Sequence, residues 1–177
     1  CGLEFASPMR APNAQWYALA YGALDLYPQT RWEFQTCLQA ISRKDKLFEF
    51  GCGSGAFLEL CREREIDATG VDFLPEAVDT CVQKGLKAST FEICSPLSET
   101  MKGSATQIVA FHVLEHVEQP QLLFKQAAHV ALPGAQLWIA VPSHLRPSRQ
   151  RRFVDFLDQP PHHMTRWNQT ALHRIGF

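Results

Sequence analysis

The sequence predicts an α/β fold in which a doubly wound, mainly parallel sheet carries helices on both faces. Two observations lead to this class. Between residues 46 and 143, short apolar segments alternate with segments of helical periodicity, which is typical of a parallel sheet buried between helices. The first apolar segment also runs into a loop with three glycines in five positions, Gly51 to Gly55, which opens a helix. A strand, a glycine-rich turn and a helix in this order begin many open parallel sheets.

The predicted elements alternate along the chain. Strands are expected at residues 46–50, 68–73, 86–93, 106–113 and 135–143. Helices are expected at residues 55–65, 75–85 and 120–132, with a short helix or loop at 95–103. The helix at 75–85 has Pro75 at its start and Gly85 just past its end, the usual asymmetry of helix termini. A last helix is predicted from the capping residue Asn168 to Gly176.

The segment before the first of these strands has a different pattern. Residues 13–42 carry two aromatic-rich helical patterns that are separated at Pro28. The spacing predicts one apolar face in each helix. These faces are formed by Trp16, Leu19 and Ala20 in the first helix and by Phe34, Leu38 and Ile41 in the second.

Composition argues against several classes of function. The 17 basic and 18 acidic residues give a net charge of -1, whereas nucleic-acid-binding domains are usually basic. No apolar run approaches the roughly 20 residues that a membrane-spanning helix needs. The six cysteines contain no Cys-x-x-Cys pair, which favours reduced thiols. We therefore expect a cytoplasmic protein with no nucleic-acid partner and no membrane span.

The glycine-rich loop predicts a binding site for a small ligand. Glycine permits positive φ and a close approach of the backbone to a ligand, and the N-terminus of the following helix presents free N–H groups. Gly51-x-Gly53-x-x-Ala56 fits the dinucleotide fingerprint. Asp72 follows about 20 residues later, where a ribose-binding acid is expected. The loop therefore indicates a ligand that carries a nucleoside.

Glu49 bears on the choice between two such ligands. It stands two positions before Gly51, where its negative charge would disfavour the pyrophosphate of a dinucleotide. The same charge would favour a ligand with a cationic amino-acid end and no phosphate. S-adenosylmethionine, with its sulfonium and its α-amino group, is such a ligand. The residues of the loop are compatible with either ligand, and Glu49 favours S-adenosylmethionine.

Five sequence blocks resemble the class I S-adenosylmethionine-dependent methyltransferases. "LFEFGCGSGAFLEL" resembles their motif I and "GVDF" their motif II. "FHVLEHVEQP" is similar to the segment after strand four in the subfamily that includes the ubiquinone-biosynthesis O-methyltransferases. "LPGAQLWIAVPS" and "PPHHMTRWNQTAL" are similar to the turn before strand five and to a later segment with paired histidines. The blocks stand in family order, so the chain is identified as a member of this family, with its Rossmann-like fold.

Both ends of the chain depart from the family pattern. Members normally continue into an antiparallel hairpin, whereas this chain ends at "HRIGF", so the C-terminal hairpin is expected to be missing. "CGLEFASPMRAP" resembles the end of a zinc-binding knob of which only Cys1 remains. Because a four-thiolate zinc site needs four ligands, no bound metal is predicted. By resemblance, residues 1–42 form a substrate-side segment and residues 43–177 an incomplete S-adenosylmethionine-binding domain.

The resemblance also assigns residues to the cofactor. Glu49 would face the methionyl amine, Asp72 would hold both ribose hydroxyls, and Phe73 would pack on the adenine or the ribose. Either Glu92 or Cys94 would stand near the adenine amino group. The full expected set is Glu49, Gly51, Cys52, Gly53, Gly55, Asp72, Phe73, Cys94, Phe111 and His112. For Gly55, a purely structural role is the alternative.

Histidines are the candidate catalytic residues. A hydroxyl acceptor needs a base to remove its proton, and histidine titrates near neutral pH. His116, which follows the fourth strand, is the first candidate, and His112, His162 and His163 complete the set. The alternatives are that Glu115 and His116 cap the adjoining turn, or that they hold a divalent ion together with the paired histidines. The paired histidines are otherwise expected to close over the active site or the substrate.

These assignments predict a methyltransferase that uses S-adenosylmethionine, releases S-adenosylhomocysteine and methylates a hydroxyl oxygen of a small molecule. The alternatives are a nicotinamide-dependent oxidoreductase, against which Glu49 and "FHVLEHV" speak, and an S-adenosylmethionine-binding module without catalysis. The run "RPSRQRR" at residues 146–152 is expected to be a solvated loop or a lid that meets an anionic acceptor. We expect a monomer or a homodimer.

Overall fold

A five-stranded parallel sheet forms the centre of the fold, which a computed structural model describes for residues 1–24, 29–143 and 158–176. The strands are β1 (Glu4–Phe5), β2 (Lys46–Phe50), β3 (Asp67–Asp72), β4 (Lys87–Thr90), β5 (Ala105–Phe111), β6 (Ala131–Ala140) and β7 (Thr165–Arg166). The helices are α1 (Ala14–Leu24), α2 (Trp32–Ala40), α3 (Ala56–Glu63), α4 (Pro75–Gln83), α5 (Pro120–Val130) and α6 (Gln169–Gly176). Short 3-10 turns cover Glu99–Met101 and Leu114–His116.

The order of the strands confirms the predicted fold class. The sheet runs β4-β3-β2-β5-β6, and all neighbouring strands are parallel. Strand β2 pairs with β3 on one side and with β5 on the other, so the chain winds outward in both directions from β2. The carboxyl ends of β2 and β5 therefore lie at a topological switch point, where open α/β sheets bind their ligands.

Alternate residues of β2 enter two cores on opposite faces of the sheet. Leu47 belongs to a core with Phe34 of α2 and Phe57 of α3. Phe48 belongs to a second core, with Leu123 of α5. A period of two with both faces buried is that of a central strand in a parallel sheet. Burial of each of these large side chains stabilises the folded state by about 1.5–3 kcal/mol. Contacts with β2 therefore help to hold the helices on both faces of the sheet.

Helix α2 buries the face that its sequence predicts. Phe34, Leu38 and Ile41 are all buried, and they share one core with residues of β2 and α3. Helix α2 is therefore packed directly on the sheet. The functional division of the chain at residue 43 stays a prediction.

Helix α1 buries a different face from the one predicted. Leu19 is 69% exposed, whereas Tyr17 is 3% exposed. Of the predicted apolar face of Trp16, Leu19 and Ala20, Trp16 packs against the cluster around Tyr17, so the prediction is wrong for Leu19. Nearly every residue from Ala14 to Leu24 is apolar, so hydrophobic spacing alone does not select which face meets the protein.

The last strand of the sheet begins earlier than predicted. Strand β6 starts at Ala131, directly after α5, and Ala131 pairs with Ala105 before the register shifts between Ala105 and Gln107. Pro133 and Gly134 lie in this irregular stretch, and Gly134 has a φ of +83°. A Pro-Gly pair predicts a turn, which is why the expected start lay at residue 135. A bulge accommodates the pair within the strand instead.

A two-stranded antiparallel ribbon connects the N-terminal segment with the C-terminal one. Strands β1 and β7 form it, and the amide of Ala6 extends it by donating to the carbonyl of Met164 at 2.8 Å. The ribbon directly follows His162 and His163 in the chain. The N-terminal strand therefore pairs with the segment that follows the paired histidines.

The C-terminal helix forms where it was predicted. In α6, the side-chain oxygen of Asn168 accepts from the amide of Ala171 at 2.8 Å, so Asn168 is the helix cap. The basic run at 146–152 lies outside the described residues. The expected lack of a C-terminal hairpin concerns the chain beyond α6 and stays a prediction. Among the helices of the described residues, none is long and apolar enough to cross a membrane.

Candidate active site

A cavity of about 710 Å³ opens at the carboxyl ends of β2, β3 and β5. One wall consists of the glycine-rich loop, the end of β3 and residues 91–94. A second wall consists of residues from α1, the turn after β5 and the paired histidines. The cavity thus sits at the topological switch point, and its volume is that of a small-molecule site.

Gly51 bends the glycine-rich loop over the end of β3. Its φ is +72°, and a Cβ at this position would lie 2.3 Å from Cγ2 of Val113. The amides of Gly51 and Cys52 both donate to the carbonyl of Val71, at 2.7 and 3.1 Å. Only glycine both adopts this positive φ readily and leaves room for the Val113 side chain. The turn leaves Gly51, Cys52 and Gly53 lining the cavity.

Gly55 has a structural position and is not on the wall of the cavity. It precedes α3 with a φ of +88°, and a Cβ there would lie 2.5 Å from Cδ1 of Leu86 and 2.9 Å from Sγ of Cys81. Its amide donates to the carbonyl of Cys52 at 3.0 Å. This close packing against α4 fits the alternative, structural role of Gly55, and its cofactor contact stays a prediction.

Asp72 is oriented by the backbone on both sides of its carboxylate. One oxygen accepts from the amide of Gly53 at 2.8 Å and the other from the amide of Leu74 at 3.0 Å. The side chain is 7% exposed, and burial raises the pKa of Asp72, an effect that these backbone hydrogen bonds partly offset. A carboxylate oxygen has two acceptor sites, so one on each oxygen remains for the vicinal hydroxyls of a ribose.

Glu49 is a buried carboxylate that lacks a partner. Its side chain is 3% exposed and lines the cavity, and its Oε2 has no hydrogen-bond partner among the residues that the structure describes. Burial raises the pKa of Glu49 well above its ordinary value, and the charges of Cys81 and Asp72 raise it further. A buried polar atom without a partner is costly. The site therefore fits a ligand that brings a cationic N–H donor.

Phe73 and two polar residues form the outer part of this wall. Phe73 is 36% exposed, and its ring meets that of Tyr17 edge-on at a centroid distance of 4.9 Å. Glu92 and Cys94 both line the cavity, with the Cys94 thiol 3.7 Å from the Glu92 carboxylate. Both therefore stay candidates for the adenine amino group.

The end of β5 brings Phe111 and His112 to the cavity. Phe111 packs against Phe34 and Phe57, at centroid distances of 5.6 and 5.2 Å. The backbone then turns at His112, whose φ of +56° is unusual for a residue other than glycine. The amide of His112 still donates to the carbonyl of Ala140 at 2.8 Å. The strand thus ends with the His112 side chain at the junction of the two walls.

His112 connects two buried acids. Its Nε2 lies 2.5 Å from Oε1 of Glu33, and its Nδ1 lies 3.4 Å from Oε1 of Glu115. Both ring nitrogens of His112 thus face carboxylates at ion-pair distance, and its catalytic role stays a prediction. Sequence analysis missed Glu33. The sequence signal that could have identified Glu33 is its position four residues before Cys37, on the buried side of α2.

Three of the four predicted catalytic histidines form one cluster on the second wall. The ring centroids of His116 and His162 are 4.5 Å apart, those of His116 and His163 4.9 Å, and those of His162 and His163 4.7 Å. Residues 46 positions apart in the chain are brought together because the amide of Met164 donates to the carbonyl of Glu115 at 2.7 Å. The cluster faces the cavity.

His116 is held in one neutral form. Its Nδ1 lies 2.7 Å from the carbonyl oxygen of His162, and because a carbonyl only accepts, Nδ1 carries the hydrogen. Burial lowers the pKa of His116 to about 4, so the ring is neutral at pH 7 and its Nε2 has a free lone pair. The hydroxyl of Tyr17 lies 3.5 Å from Nδ1. The geometry therefore offers a proton acceptor at Nε2.

The cluster also has the donor set of a transition-metal site. One ring nitrogen from each of His116, His162 and His163 lies within 4.8 Å of the other two, and three imidazoles suit zinc or a similar ion. Glu115, with 1% exposure, adjoins them. Although burial alone would raise the pKa of Glu115, the contact with His112 and the nearby histidines lower it below its ordinary value. The absence of a metal stays a prediction.

Comparisons with known proteins agree with the motifs. A family model described as a methyltransferase domain matches residues 25–176. The ubiquinone biosynthesis O-methyltransferase of Xanthomonas oryzae pv. oryzae is 25% identical over 100 residues, which cover 54% of this chain and 42% of that protein. The chain thus spans less than half of the length of this curated relative.

Two solved structures share the fold. A putative methyltransferase in complex with the Trm112 activator of Haloferax volcanii has a TM-score of 0.69 at 18% identity, covering 94% of this chain and 75% of that one. A SAM-dependent methyltransferase from Archaeoglobus fulgidus has a TM-score of 0.67 at 20% identity, covering 90% and 72%. With the family model spanning most of the residues, the chain belongs to the methyltransferase-domain family, whose class I members depend on S-adenosylmethionine.

Proposed function

We propose that this chain binds S-adenosylmethionine and transfers its methyl group to a hydroxyl oxygen of a small molecule. The observation that carries the proposal is the division of one cavity into two chemically different walls. One wall has the buried carboxylate of Glu49, whose Oε2 meets no donor among the described residues, beside a glycine-rich loop. The other has a cluster of histidines that includes a neutral imidazole with a free lone pair.

The first wall fits the cofactor. Glu49 would pair with the α-amino group, and the oriented carboxylate of Asp72 would accept from the ribose hydroxyls. When bound, the cofactor supplies a methyl group on a sulfonium, ready for in-line displacement. A nicotinamide dinucleotide fits less well, because the Glu49 carboxylate lies beneath the loop that would have to hold a pyrophosphate.

The second wall fits a hydroxyl acceptor. The Nε2 of His116 can accept the proton that the hydroxyl loses as its oxygen attacks the methyl group. The hydroxyls of Tyr17 and Tyr21 lie 3.5 Å from His116 and 3.3 Å from His162. Burial raises the pKa of both tyrosines, so their hydroxyls stay protonated at neutral pH. Alignment of acceptor and methyl group then supplies much of the rate enhancement.

A methyl-transfer assay tests this proposal. The chain is incubated with methyl-labelled S-adenosylmethionine and panels of small alcohols, phenols, amines and thiols. We expect label on hydroxyl oxygens, and a loss of about 100-fold or more in kcat for His116→Asn with unchanged affinity for S-adenosylhomocysteine. His173→Asn, an exposed change on α6, is the matched control.

Other outcomes of the assay would redirect the proposal. Label confined to amines or thiols would contradict the hydroxyl acceptor. Cofactor binding with no labelled product from any class would favour a binding module without catalysis. The expected monomer or homodimer and the cytoplasmic location remain predictions. The Trm112 complex belongs to the Haloferax relative, and no such partner is proposed here.

A further inference from the structure

Asp158 is a buried acid beside the histidine cluster that the sequence analysis did not single out. Its side chain is 5% exposed, and its Oδ1 lies 3.0 Å from Nδ1 of His163. His163 is itself buried and lines the cavity. The carboxylate therefore contacts the ring on one nitrogen and leaves the other nitrogen, Nε2, available to the cavity.

Arg166 holds Asp158 in place. Its guanidinium donates to the backbone carbonyl of Asp158, and its Nε lies 3.6 Å from the second carboxylate oxygen. Arg166 is a residue of the β1–β7 ribbon and also contacts Glu4, at 3.3 Å. One carboxylate oxygen thus faces a guanidinium and the other an imidazole. An ionised carboxylate has no hydrogen to donate, so the hydrogen shared with His163 belongs to the imidazole.

We propose that Asp158 is a positioning residue that fixes His163 as the tautomer with its hydrogen on Nδ1 and its free lone pair on Nε2. A carboxylate that orients an imidazole in this way recurs in nucleophilic and metal sites. His116 is fixed in the same tautomer by a different partner, the carbonyl of His162. Two neighbouring rings, with centroids 4.9 Å apart, then present free lone pairs to one acceptor.

The tautomer is directly measurable in the full chain. Nitrogen-15 NMR of the histidine rings distinguishes hydrogen on Nδ1 from hydrogen on Nε2, and the spectrum of His163→Gln identifies the His163 signals. Asp158→Asn is the test variant, because its amide can either donate or accept. Asp79→Asn, an exposed change on α4, is the matched control. The affinity for S-adenosylhomocysteine, measured by calorimetry, checks that the first wall of the cavity is intact.

We expect wild-type His163 to carry its hydrogen on Nδ1 and Asp158→Asn to give a mixture or the opposite tautomer. With an acceptor found in the methyl-transfer assay, kcat of Asp158→Asn should fall by about 100-fold or more with little change in KM for the cofactor. Asp79→Asn should match the wild type in both readouts. Hydrogen on Nε2 in the wild type, or an unchanged tautomer in Asp158→Asn, would overturn the inference.

The NMR and kinetic readouts separate this inference from the proposed function. Only the kinetic readout rests on the proposed function. If no acceptor is methylated, the proposed function fails, and the spectra still decide the role of Asp158. If Asp158→Asn does not fold, the wild-type spectrum alone decides which nitrogen carries the hydrogen. If folded Asp158→Asn shows the expected change of the His163 tautomer but keeps the wild-type kcat, the positioning role is also overturned.

Discussion

Asp72 and Glu49, near the ends of the neighbouring strands β3 and β2, differ in their hydrogen-bond partners. Asp72 accepts from two backbone amides and is held in one orientation. Glu49 is equally buried, yet one of its oxygens meets no donor within the described part of the chain. The ligand therefore has to supply the missing donor at Glu49, whereas Asp72 is already oriented. At the scale of single residues, Glu49 is where binding should change a protonation state.

The burial of Glu49 predicts proton-linked binding of S-adenosylhomocysteine. Because the pKa of Glu49 is raised in the free protein, the carboxyl group is protonated below that raised value. The ligand's ammonium group favours the ionised form, so binding releases a proton. Affinity should then rise with pH, by at most about tenfold per pH unit, and level off above the raised pKa.

Calorimetry between pH 5 and pH 8, in buffers with different ionisation enthalpies, measures the released proton. Glu49→Gln should bind more weakly and lose the pH dependence. Glu63→Gln, an exposed change at the end of α3, should keep it. Wild-type affinity that does not vary over this range would show that Glu49 does not meet the ammonium group.

At the scale of elements, the glycine-rich loop makes a prediction about stability. Gly55 and Gly85 both have positive φ, but only at Gly55 would a Cβ meet neighbouring side chains, at 2.5 and 2.9 Å. Gly55→Ala should therefore lower the free energy of unfolding by about 2–4 kcal/mol, from backbone strain and overpacking. Gly85→Ala should cost about 1 kcal/mol, from strain alone.

Urea denaturation followed by circular dichroism compares the two glycine variants. Equal losses of stability would mean that the loop can move away from α4, and that Gly55 is retained for another reason. A larger loss in Gly85→Ala would contradict the packing of the loop outright.

The histidine cluster, built from the turn after β5 and the segment before β7, makes a prediction about metal. If its rings act as proton acceptors, dialysis against a chelator should leave methyl transfer unchanged, and elemental analysis should find no stoichiometric metal. Loss of activity on chelation, with recovery on adding Zn²⁺ or Mn²⁺, would show instead that the three nitrogens within 4.8 Å hold an ion.

Sequence patterns predicted the elements of the sheet better than those around it. Strand β2, the loop and α4 formed where period and helix-end signals placed them. The face of α1 was missed because the helix is apolar all round, and the start of β6 because a bulge absorbs a Pro-Gly pair. In both cases the deciding contacts come from other parts of the chain, which local periodicity does not contain.

At the scale of the whole molecule, the two walls of the cavity differ in how their residues lie along the chain. Most of the first wall, which we assign to the cofactor, comes from one continuous stretch, residues 49–94. Its motifs are therefore visible in the sequence. The second wall joins α1, the turn after β5 and the paired histidines, and only the folded chain brings these together and sets Asp158 beside His163. The partners Glu33 and Asp158 were missed for this reason, although the histidines they contact were named.

The central claim is that the cavity binds S-adenosylmethionine through Asp72, and titration calorimetry with S-adenosylhomocysteine, with NADH in parallel, tests it most directly. We predict micromolar binding of S-adenosylhomocysteine to the wild type and to Asp79→Asn, and no binding of NADH. Asp72→Asn should weaken binding by at least about tenfold, the cost of losing hydrogen bonds to a charged group. Binding of NADH alone, or an Asp72→Asn variant that binds S-adenosylhomocysteine like the wild type, would contradict the account.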